Sequence, residues 1–403
     1  MRRTVLVLTM ALAMVLACAG VVLAQGSTTP TTTPAPEQQS STANALPNGQ
    51  CSSTKVGPPI PVMTRNLYLG ADVDPIFKAA KTGGDVVGAT TKAWNTIKET
   101  NFPERAEALA DEMDDSDPLL VGLQEVTLFR TGPPDSFTSN PTPATHVEYD
   151  YLKILLRELY ERDLHYVPVT ITKNADGELP GYTAPGVLQD IRLTDRDVIL
   201  VRMNLPGSKP QLSNPQTGNF VNYVSAPLPL LRGWGSIDVT LRGQTFRFIN
   251  THLEPESTDP DVKDEVNAIQ VAQGDEILSG PANTDLPVIL VGDFNSQADT
   301  DPPPEVPPGT LTYRNLIEAG LADAWRVTHP GEPGYTWGQA ENLRNEESNL
   351  TQRLDLVLFR DGLSEGGLCA LDADVVGDEQ SDRTPSGLWP SDHAGVVATL
   401  RGE

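Results

Sequence analysis

The chain has 403 residues, of which 38% are hydrophobic, and its 29 Lys and Arg against 54 Asp and Glu give a formal net charge of −25. The hydrophobic content is sufficient for a folded core, which excludes a mainly disordered protein. A surface this acidic cannot hold a polyanion with basic residues, which excludes a protein that coats DNA. Any nucleic acid or phospholipid must therefore be bound through metal ions and a few local cations.

The first segment, residues 1–24, has the pattern of an export signal. Arg2 and Arg3 precede an apolar run over residues 5–22, and small or compact residues close the segment. We predict that the segment is removed near Gln25 and that the mature protein is secreted. Retention of the segment as a membrane anchor is the alternative, although the run is barely long enough to span a bilayer.

Cysteine usage bears on processing and on the redox compartment. Residues 15–18 resemble the sequence at which bacterial lipoproteins are cut and acylated, so anchoring through Cys18 remains open. Removal of the signal leaves Cys51 and Cys369, and an isolated pair in an oxidising compartment is expected to form a disulfide. Two unpaired thiols are the alternative. Neither state makes a zinc site, because the chain has no clustered Cys and His spacing.

Residues 25–59 are rich in Thr, Pro and Ser and nearly free of large apolar side chains, so we predict a disordered linker. Residues 60–403 contain no second low-complexity break and are predicted to form one domain with alternating strands and helices. The predicted strands cover residues 61–67, 119–123, 166–169, 197–201, 237–241, 245–250, 288–291, 353–359 and 395–400. Helices are predicted from Phe102 onward and over 151–159 and 262–277, and proline-rich surface loops at 131–145, 205–231 and 299–309.

Polar residues stand at the ends of most of these predicted strands. In chain order, these polar segments are Asn66, Gln124-Glu125, Asn250-Thr251-His252, Gly292-Asp293-Phe294-Asn295, Arg353-Leu354-Asp355 and Ser391-Asp392-His393. If the strand ends meet at one rim of a sheet sandwich, they form an oxygen-rich cluster with two histidines. Such hard ligands suit Mg²⁺ or a similar cation. Each residue taken alone is as well explained by a turn or a helix cap.

In order and approximate spacing, the six segments resemble the motifs of the endonuclease/exonuclease/phosphatase superfamily, which includes DNase I-like nucleases, bacterial sphingomyelinases and inositol-polyphosphate phosphatases. The resemblance covers about residues 60–400. It implies an α/β fold, a four-layered sandwich of two mixed β-sheets flanked by helices, with the site at one rim. It also implies hydrolysis of a phosphoric ester with Mg²⁺, or Mn²⁺ or Ca²⁺, as the cofactor.

The resemblance further implies roles for the metal side and the attacking side of the site. Asn66 and Glu125 would hold the metal, Glu125 most directly, with Asp392 as a further ligand. Asp293 would orient and deprotonate the attacking water, and Asn295 would hold the same water or a phosphate oxygen. A carboxylate base and oxygen ligands are what metal-assisted attack on phosphorus requires.

On the phosphate and leaving-group side, His393 paired with Asp355 would bind the phosphate and stabilise its developing charge, and His252 would be the general acid. Asn250 is a further phosphate-binding candidate. Arg196, in the middle of the chain, is another, with a surface ion pair to a neighbouring aspartate as the alternative.

Substrate identity stays open at this level. The chain is expected to act as a monomer on a phosphodiester, either nucleic acid or a phospholipid head group, and no stable protein partner is inferred. The alternatives are a phosphomonoesterase acting on inositol or sugar phosphates and a non-catalytic binding module. The long stretch between Asn66 and Gln124 predicts an insertion beside the site that could shape substrate choice. His146, His165 and His329 are interpreted as surface or packing residues.

Overall fold

The structure is a computed structural model that describes residues 49–51, 57–139, 141–205, 209–225, 229–298, 310–361 and 367–402. The predicted export signal, most of the predicted linker and the predicted loop at 299–309 lie outside the described residues. The described residues all belong to one compact unit, Ala45–Glu403. Among them, no helix combines the length and the apolar composition needed to cross a membrane.

Strands and helices follow one another along the described chain. The strands are β1 (Pro59–Asn66), β2 (Leu120–Gln124), β3 (Leu128–Gly132), β4 (His146–Asp150), β5 (Tyr166–Ala184), β6 (Val187–Arg202), β7 (Gln211–Asn219), β8 (Gly233–Leu241), β9 (Gln244–His252), β10 (Val288–Asp293), β11 (Ala322–Asp323), β12 (Asp355–Arg360), β13 (Leu368–Val376) and β14 (Gly395–Gly402). The helices are α1 (Asp74–Thr82), α2 (Val86–Glu99), α3 (Phe102–Ser116), α4 (Tyr151–Glu161), α5 (Lys263–Ser279), α6 (Thr312–Glu318) and α7 (Ala324–Thr328), and a 3₁₀ turn covers Gln380–Asp382.

Two mixed β-sheets form the body of the fold. The first sheet has the strand order β13-β14-β1-β2-β6-β3-β4, with β5 also paired to β6, and the second has the order β11-β12-β10-β9-β8-β7. Each sheet contains a parallel pair among antiparallel neighbours, β1 with β2 in the first and β9 with β10 in the second. Each parallel pair brings the carboxyl ends of two strands to the same edge of its sheet.

Side chains alternate between the two faces of each strand, and this alternation sorts the apolar residues into layers. On β1, Ile60 and Val62 enter the core between the two sheets, whereas Met63 enters the core beneath the helices. On β10, Ile289 faces the core between the sheets, whereas Leu290 faces the opposite side. The inner faces of both sheets therefore share one apolar core.

Helices cover the two outer faces. Trp94 of α2, Leu109 of α3 and Leu155 of α4 pack against the first sheet. Ile277 of α5 and Leu316 of α6 pack against the second sheet. The layers are therefore helices, sheet, sheet and helices, which confirms the predicted four-layered α/β sandwich of two mixed β-sheets.

The segment predicted as a loop over residues 205–231 contains a strand, so the prediction was wrong there. Strand β7 is the last strand of the second sheet in the described chain, and it carries Pro215 at an irregularity between Ser213 and Gln216. Proline is tolerated on a strand at the edge of a sheet or at a bulge, because its missing N–H is not needed there. The turn-forming residues of this segment give no strand pattern, so the strand is recognised only from its pairing with β8.

The stretch between Asn66 and Gln124 is the predicted insertion, and it is helical in the structure. It contains α1 and α2 before α3, and α2 packs against the long strand β5. Helix α1 begins at Asp74, whose backbone N–H is accepted by the Asp72 side chain at 2.9 Å, and Pro75 follows in the first turn. Both features favour a helix start, because they leave few backbone donors unsatisfied.

A disulfide joins Cys51 to Cys369, which confirms the predicted pairing. Next to it, Gln50 forms a parallel bridge with Ala370 of β13, and the carbonyl of Gly49 accepts the N–H of Ala370. The two cysteines are separated by 318 residues of sequence. The disulfide therefore ties the chain that precedes β1 to β13 of the first sheet.

Candidate active site

The candidate site lies at one edge of the sandwich. On several strands, the row of side chains that faces the other sheet extends there beyond the apolar core. Asn66 ends the row on β1, His252 the row on β9 and Asp293 the row on β10. Asp355 opens the row on β12, and Asp197 lies in that of β6. Deeper in the sandwich these rows are apolar, so the polar side chains collect at one rim.

A cavity of about 350 Å³ opens at this rim. The residues predicted for the site that line it are Glu125, His252, Asp293, Asn295, Asp392 and His393. The remaining lining includes Arg232, Asp74, Glu256 and Trp337, for which no role was predicted. The structure thus brings most of the predicted residues together around one cavity.

Glu125 follows β2 in the left-handed backbone region, with φ of 56°, which turns the chain sharply at the cavity wall. Its Oε2 accepts the backbone N–H of Leu69 at 2.6 Å. The side-chain nitrogen of Asn66 donates to Glu125 Oε1 at 3.3 Å and to Asp293 Oδ2 at 3.0 Å, and the side-chain oxygen accepts the N–H of Tyr68. Asn66 therefore links the predicted metal ligand Glu125 to the predicted base Asp293.

Glu125 and Asp392 are the oxygen donors that could hold a divalent cation. Burial, followed by the charges of Asp392 and Asp195, raises the pKa of Glu125 to about 7. Burial also raises the pKa of Asp392. A divalent cation would relieve this repulsion, and hard oxygen ligands suit Mg²⁺, Mn²⁺ or Ca²⁺. The residues present thus fit the metal that the resemblance implies. Asn66 accepts the N–H of Tyr68 and donates to Glu125, so it orients Glu125, and its predicted contact with the metal stays a prediction.

Asp293 occupies the centre of the site between two histidines. Its Oδ2 lies 3.4 Å from His252 Nε2 and 3.7 Å from His393 Nε2, and its Oδ1 accepts the backbone N–H of Asn295 at 2.9 Å. Burial raises the pKa of Asp293 to about 6, an effect that His393 opposes and Asp355 reinforces. A carboxylate with a pKa near neutrality at the wall of a cavity is suited to accept a proton from water.

His393 is paired with Asp355. The Nδ1 atom of His393 lies 2.8 Å from Asp355 Oδ2, and both side chains are buried. Burial alone lowers the pKa of His393, but the carboxylates of Asp355, Asp293 and Asp392 outweigh it and raise the pKa to about 10. His393 is therefore protonated at neutral pH and presents an imidazolium to the cavity.

His252 differs from His393 in charge. The Nη1 atom of Arg232 lies 3.0 Å from His252 Nδ1 and 3.1 Å from Nε2, and Asp197 Oδ1 lies 3.9 Å from Nδ1. Burial, followed by the positive charges of Arg232 and His393, holds the pKa of His252 well below its usual value. His252 is therefore a neutral imidazole at neutral pH.

Arg232 lines the cavity, and sequence reasoning missed it. Burial disfavours its charge, but nearby carboxylates outweigh burial and raise the pKa of Arg232. These carboxylates are those of Glu254, Asp195, Glu125 and Asp197. No strand pattern indicates this position, because the register of the predicted β8–β9 hairpin pairs Gly233 with His252, and continued alternation would turn Arg232 to the opposite face.

The structure does not support the predicted phosphate-binding role of Arg196. Its guanidinium donates to Asp150 at 2.6 Å, so the alternative of a pair with a neighbouring aspartate is also not seen. Asp195 and Asp197 on either side of it approach His252 instead. Alternate residues of a strand point to opposite faces, so this rule applied to β6 separates Arg196 from the two aspartates.

Asn250 joins the two sheets, and the predicted phosphate-binding role is not supported. Its nitrogen donates to the carbonyls of Leu123 at 3.0 Å and Val198 at 3.2 Å, and its oxygen accepts from Gln124 at 2.6 Å. A Cβ at Gly122 would lie 2.6 Å from Asn250 Oδ1, so a glycine is needed for this close approach. The amide of Asn250 is thus occupied within the sandwich.

Asn295, two residues after Asp293, lines the cavity. Its backbone is left-handed, with φ of 48°, and its side-chain nitrogen donates to the carbonyl of Leu253 at 3.0 Å. Gln270 of α5 holds the Asn295 carbonyl at 2.8 Å. These contacts place Asn295 beside the predicted base, and its contact with water or phosphate stays a prediction.

The remaining histidines do not line this cavity. The His146 side chain is exposed. His165 stacks on Tyr160, and His329 stacks on Trp325 with ring centroids 4.2 Å apart. These positions agree with their interpretation as surface or packing residues.

The site's geometry agrees with the sequence resemblance, and a direct comparison decides the family. A sequence profile of the endonuclease/exonuclease/phosphatase family matches residues 93–393. The chain belongs to this family. No curated protein sequence matches the chain.

Solved structures similar to this family member include a humanized D. rerio TDP2, with 16% identity, a TM-score of 0.49 and coverage of 85% of this chain and 99% of that one. The catalytic domain of human Nocturnin with bound sulfate shares 18% identity, with a TM-score of 0.47 and coverage of 87% and 97%. An endonuclease/exonuclease/phosphatase from Beutenbergia cavernae shares 20% identity, with a TM-score of 0.49 and coverage of 85% and 71%.

Proposed function

We propose that this member of the family is a secreted, divalent-metal-dependent phosphoesterase that hydrolyses a phosphodiester, in a nuclease-like or phospholipase C/sphingomyelinase-like reaction. The observation that carries the proposal is the position of Asp293 between a neutral His252 and a protonated His393 at the wall of one cavity. Hydrolysis at phosphorus needs a base for water, positive charge for the phosphoryl oxygens and a proton for the leaving oxygen. The three side chains supply these functions.

Asp293 accepts the proton of the attacking water. Both carboxylate oxygens are engaged, Oδ2 by the amide of Asn66 and Oδ1 by the N–H of Asn295, so the carboxylate is held in one orientation. A fixed base needs little reorganisation before attack, which lowers the entropic part of the barrier.

His393 stabilises the negative charge that develops on the phosphoryl oxygens. Asp355 holds its ring through Nδ1, which leaves the Nε2–H to donate to an oxygen in the cavity. A preorganised cation stabilises the charge of the transition state more strongly in this site than it would in water, because the site has a low dielectric constant.

His252 serves the leaving oxygen. Its Nε2 is the ring nitrogen nearer to Asp293, and this carboxylate favours the tautomer in which Nε2 carries the ring proton. Arg232 adds a positive charge next to the oxygen that departs, and this charge favours departure of an alkoxide.

A divalent cation, when bound, supplies further positive charge to the phosphate and the leaving oxygen. Glu125 and Asp392 would hold it, and the amide of Asn66 would orient Glu125. The proposal of a metal rests on this pair of carboxylates. Their negative charges repel each other, and a bound cation relieves this repulsion, so each carboxylate increases the affinity of the site for a cation.

We expect activity to disappear on chelation and to return with Mg²⁺ or Mn²⁺, because the proposed ligands are oxygen donors. Replacing Glu125 by Gln should weaken metal binding without unfolding the domain, since the amide keeps the shape of the side chain. Mn²⁺ titration and thermal unfolding measure the two effects separately. Full activity in excess chelator would contradict the proposal.

The two histidines are expected to differ in their sensitivity to the leaving group. His252→Ala should slow an alkyl diester far more than a nitrophenyl diester, because a good leaving group departs without protonation. His393→Ala should slow both by similar factors, on the order of 10² to 10³, since phosphoryl charge develops whatever leaves. Equal sensitivity in both variants would show that the roles are wrongly assigned.

Two carboxylates that have no role in the proposed mechanism affect which class of substrate the cavity can bind. Asp74, from the insertion, and Glu256 both line the cavity, and the whole chain carries a net charge of −25. Neighbouring phosphates of a long nucleic acid would meet negative charge here, which favours a compact phosphodiester over a polymer. Hydrolysis of DNA, sphingomyelin, phosphoinositides and bis-p-nitrophenyl phosphate with Mg²⁺ tests this, and a strong preference for DNA would overturn the substrate assignment.

We also propose export of the protein. The disulfide between Cys51 and Cys369 supports an oxidising compartment, where such bonds persist. Mass analysis of the protein recovered from its native source tests the export signal, with a mature chain beginning near Gln25 as the expected result. An acylated Cys18 would instead identify a lipoprotein.

A further inference from the structure

Two aspartates of β6 form a pair beside His252 that the mechanism above does not use. Asp195 and Asp197 are buried, with exposed fractions of 7% and 1%. The side-chain nitrogen of Asn174, on the neighbouring strand β5, donates to Asp195 Oδ2 at 3.2 Å and to Asp197 Oδ2 at 2.7 Å. One amide thus joins the two carboxyl groups.

The second oxygen of each carboxyl group has no hydrogen-bond partner within the described residues. A buried carboxylate oxygen without a donor is costly, and two adjacent buried carboxylates cannot both remain ionised at moderate cost. Burial raises the pKa of both groups, and the charge of Asp195 adds to the rise at Asp197. One proton held between the pair resolves both problems, because it supplies a donor and removes one charge.

The pair lies on the far side of His252 from Asp293. The distance from Asp197 Oδ1 to His252 Nδ1 is 3.9 Å, and it must shorten by about 1 Å to reach hydrogen-bonding range. His252 Nε2 lies on the other side of the ring, 3.4 Å from Asp293 Oδ2. A neutral imidazole in this position can give up a proton at Nε2 only if Nδ1 receives one, since an anionic ring is too unstable.

We propose that Asp195 and Asp197 share one proton and that this proton passes to Nδ1 of His252 as Nε2 protonates the leaving oxygen. This inference rests on the proposed phosphodiester hydrolysis. In the step, the Nε2–H bond breaks and an O–H bond forms on the leaving alkoxide. The carboxyl O–H bond of Asp197 breaks and an Nδ1–H bond forms. The pair is left with both carboxylates ionised. After product release a solvent proton binds Nε2, and the Nδ1 proton returns to the pair.

The charges around the pair are arranged for this transfer. Arg232, next to His252, is the cation that stabilises the doubly ionised pair, because it interacts with both aspartates. The other charged groups around the pair and His252 are Glu125, Asp293 and His393. Arg196 points to the opposite face of β6 and acts on Asp195 only through its charge. A divalent cation is the competing occupant, since Asp195, Asp197 and His252 bring ligand atoms within 4.8 Å of one another.

Asn variants test the shared proton. Asp197→Asn removes the donor, so kcat/KM for an alkyl diester should fall on the order of 10²-fold, while a nitrophenyl diester should be nearly unaffected. Asp195→Asn removes the neighbouring charge, so Asp197 loses its proton at lower pH and the alkaline limb of the alkyl-diester profile should move down by about one pH unit or more. The matched control is Asp190→Asn, a buried aspartate on the same strand whose carboxylate is held by Ser136.

An infrared measurement separates this inference from the proposed function. At neutral pH the wild type and Asp190→Asn should show the carbonyl band of a protonated carboxyl group that Asp197→Asn loses, and in Asp195→Asn this band should disappear at a lower pH than in the wild type. If no diester is hydrolysed but the band behaves as expected, the shared proton stands and the proposed function fails. An unchanged band, or a pH profile of Asp195→Asn equal to the control, would overturn the inference. Loss of a bound Mn²⁺ in both variants would overturn it in favour of a cation site.

Discussion

Asp293→Asn is expected to lower kcat for any phosphodiester substrate by about 10³-fold or more, with a small change in KM. The asparagine oxygen can still accept the N–H of Asn295, whereas its amide nitrogen replaces the oxygen that accepts from Asn66. The variant has no basic carboxylate at the centre of the site, and the attacking water must lose its proton to bulk solvent. Steady-state kinetics with bis-p-nitrophenyl phosphate measures the effect, because its good leaving group isolates the attack from leaving-group protonation.

The control for this variant is Asp238→Asn, which changes a buried aspartate in the ion pair with Arg247, a residue that does not line the cavity. It should keep kcat within a few fold, while thermal unfolding shows whether each variant is folded. If folded Asp293→Asn retained kcat within a few fold of the wild type, water activation by this carboxylate would be excluded.

Glu112→Ala is expected to destabilise the protein by about 3–5 kcal/mol. Arg65 is fully buried, and its guanidinium makes a two-pronged pair with Glu112 of α3, with both N–O distances at 2.8 Å. A third nitrogen of Arg65 donates to the carbonyl of His393. Removing Glu112 leaves a positive charge in the core without a counter-charge, so the folded state bears the full desolvation penalty. Urea unfolding gives the free energy directly.

The double variant Arg65→Met with Glu112→Leu serves as the matched control, because it removes both charges and keeps the volume. It should recover much of the lost free energy of unfolding, as replacement of buried pairs by apolar residues often does. It should nevertheless reduce activity, because the contact to the His393 carbonyl is lost. A cost below about 1 kcal/mol for Glu112→Ala would show that the buried pair is solvated or dispensable.

Much of the catalytic rim was predictable because it depends on short-range pattern. Strand side chains alternate with a period of two, so a strand with an apolar inner row and a polar last residue places that residue at the rim. Asn66, His252 and Asp293 follow this rule, and the structure brings them together. The same rule, applied to β6, would have turned Arg196 away and pointed to Asp195 and Asp197.

Residues contributed by irregular segments were not predictable in this way. Asp74 reaches the cavity because the insertion folds into α1 beside the rim, and no periodic pattern relates that helix to a strand of either sheet. Arg232 precedes β8, where a lone arginine resembles any surface residue, and the hairpin register places Gly233 rather than Arg232 opposite His252. Asn250 was predicted from its motif to bind phosphate, whereas its amide joins the two sheets in the structure.

The resemblance of the motifs to a known family implied the four-layered sandwich. The sequence by itself determined the alternation of strands and helices, the sorting of residues between faces of the strands, the disulfide partners and the types of side chain at the rim. These follow from local periodicity, composition and order along the chain, which do not depend on distant contacts. Only the tertiary structure decided that His393 is charged and His252 is neutral. Both are buried histidines, and the difference lies in whether carboxylates or a guanidinium pack against the ring. Such electrostatic pairings join residues from different strands, so their distances are set by the packing of the two sheets.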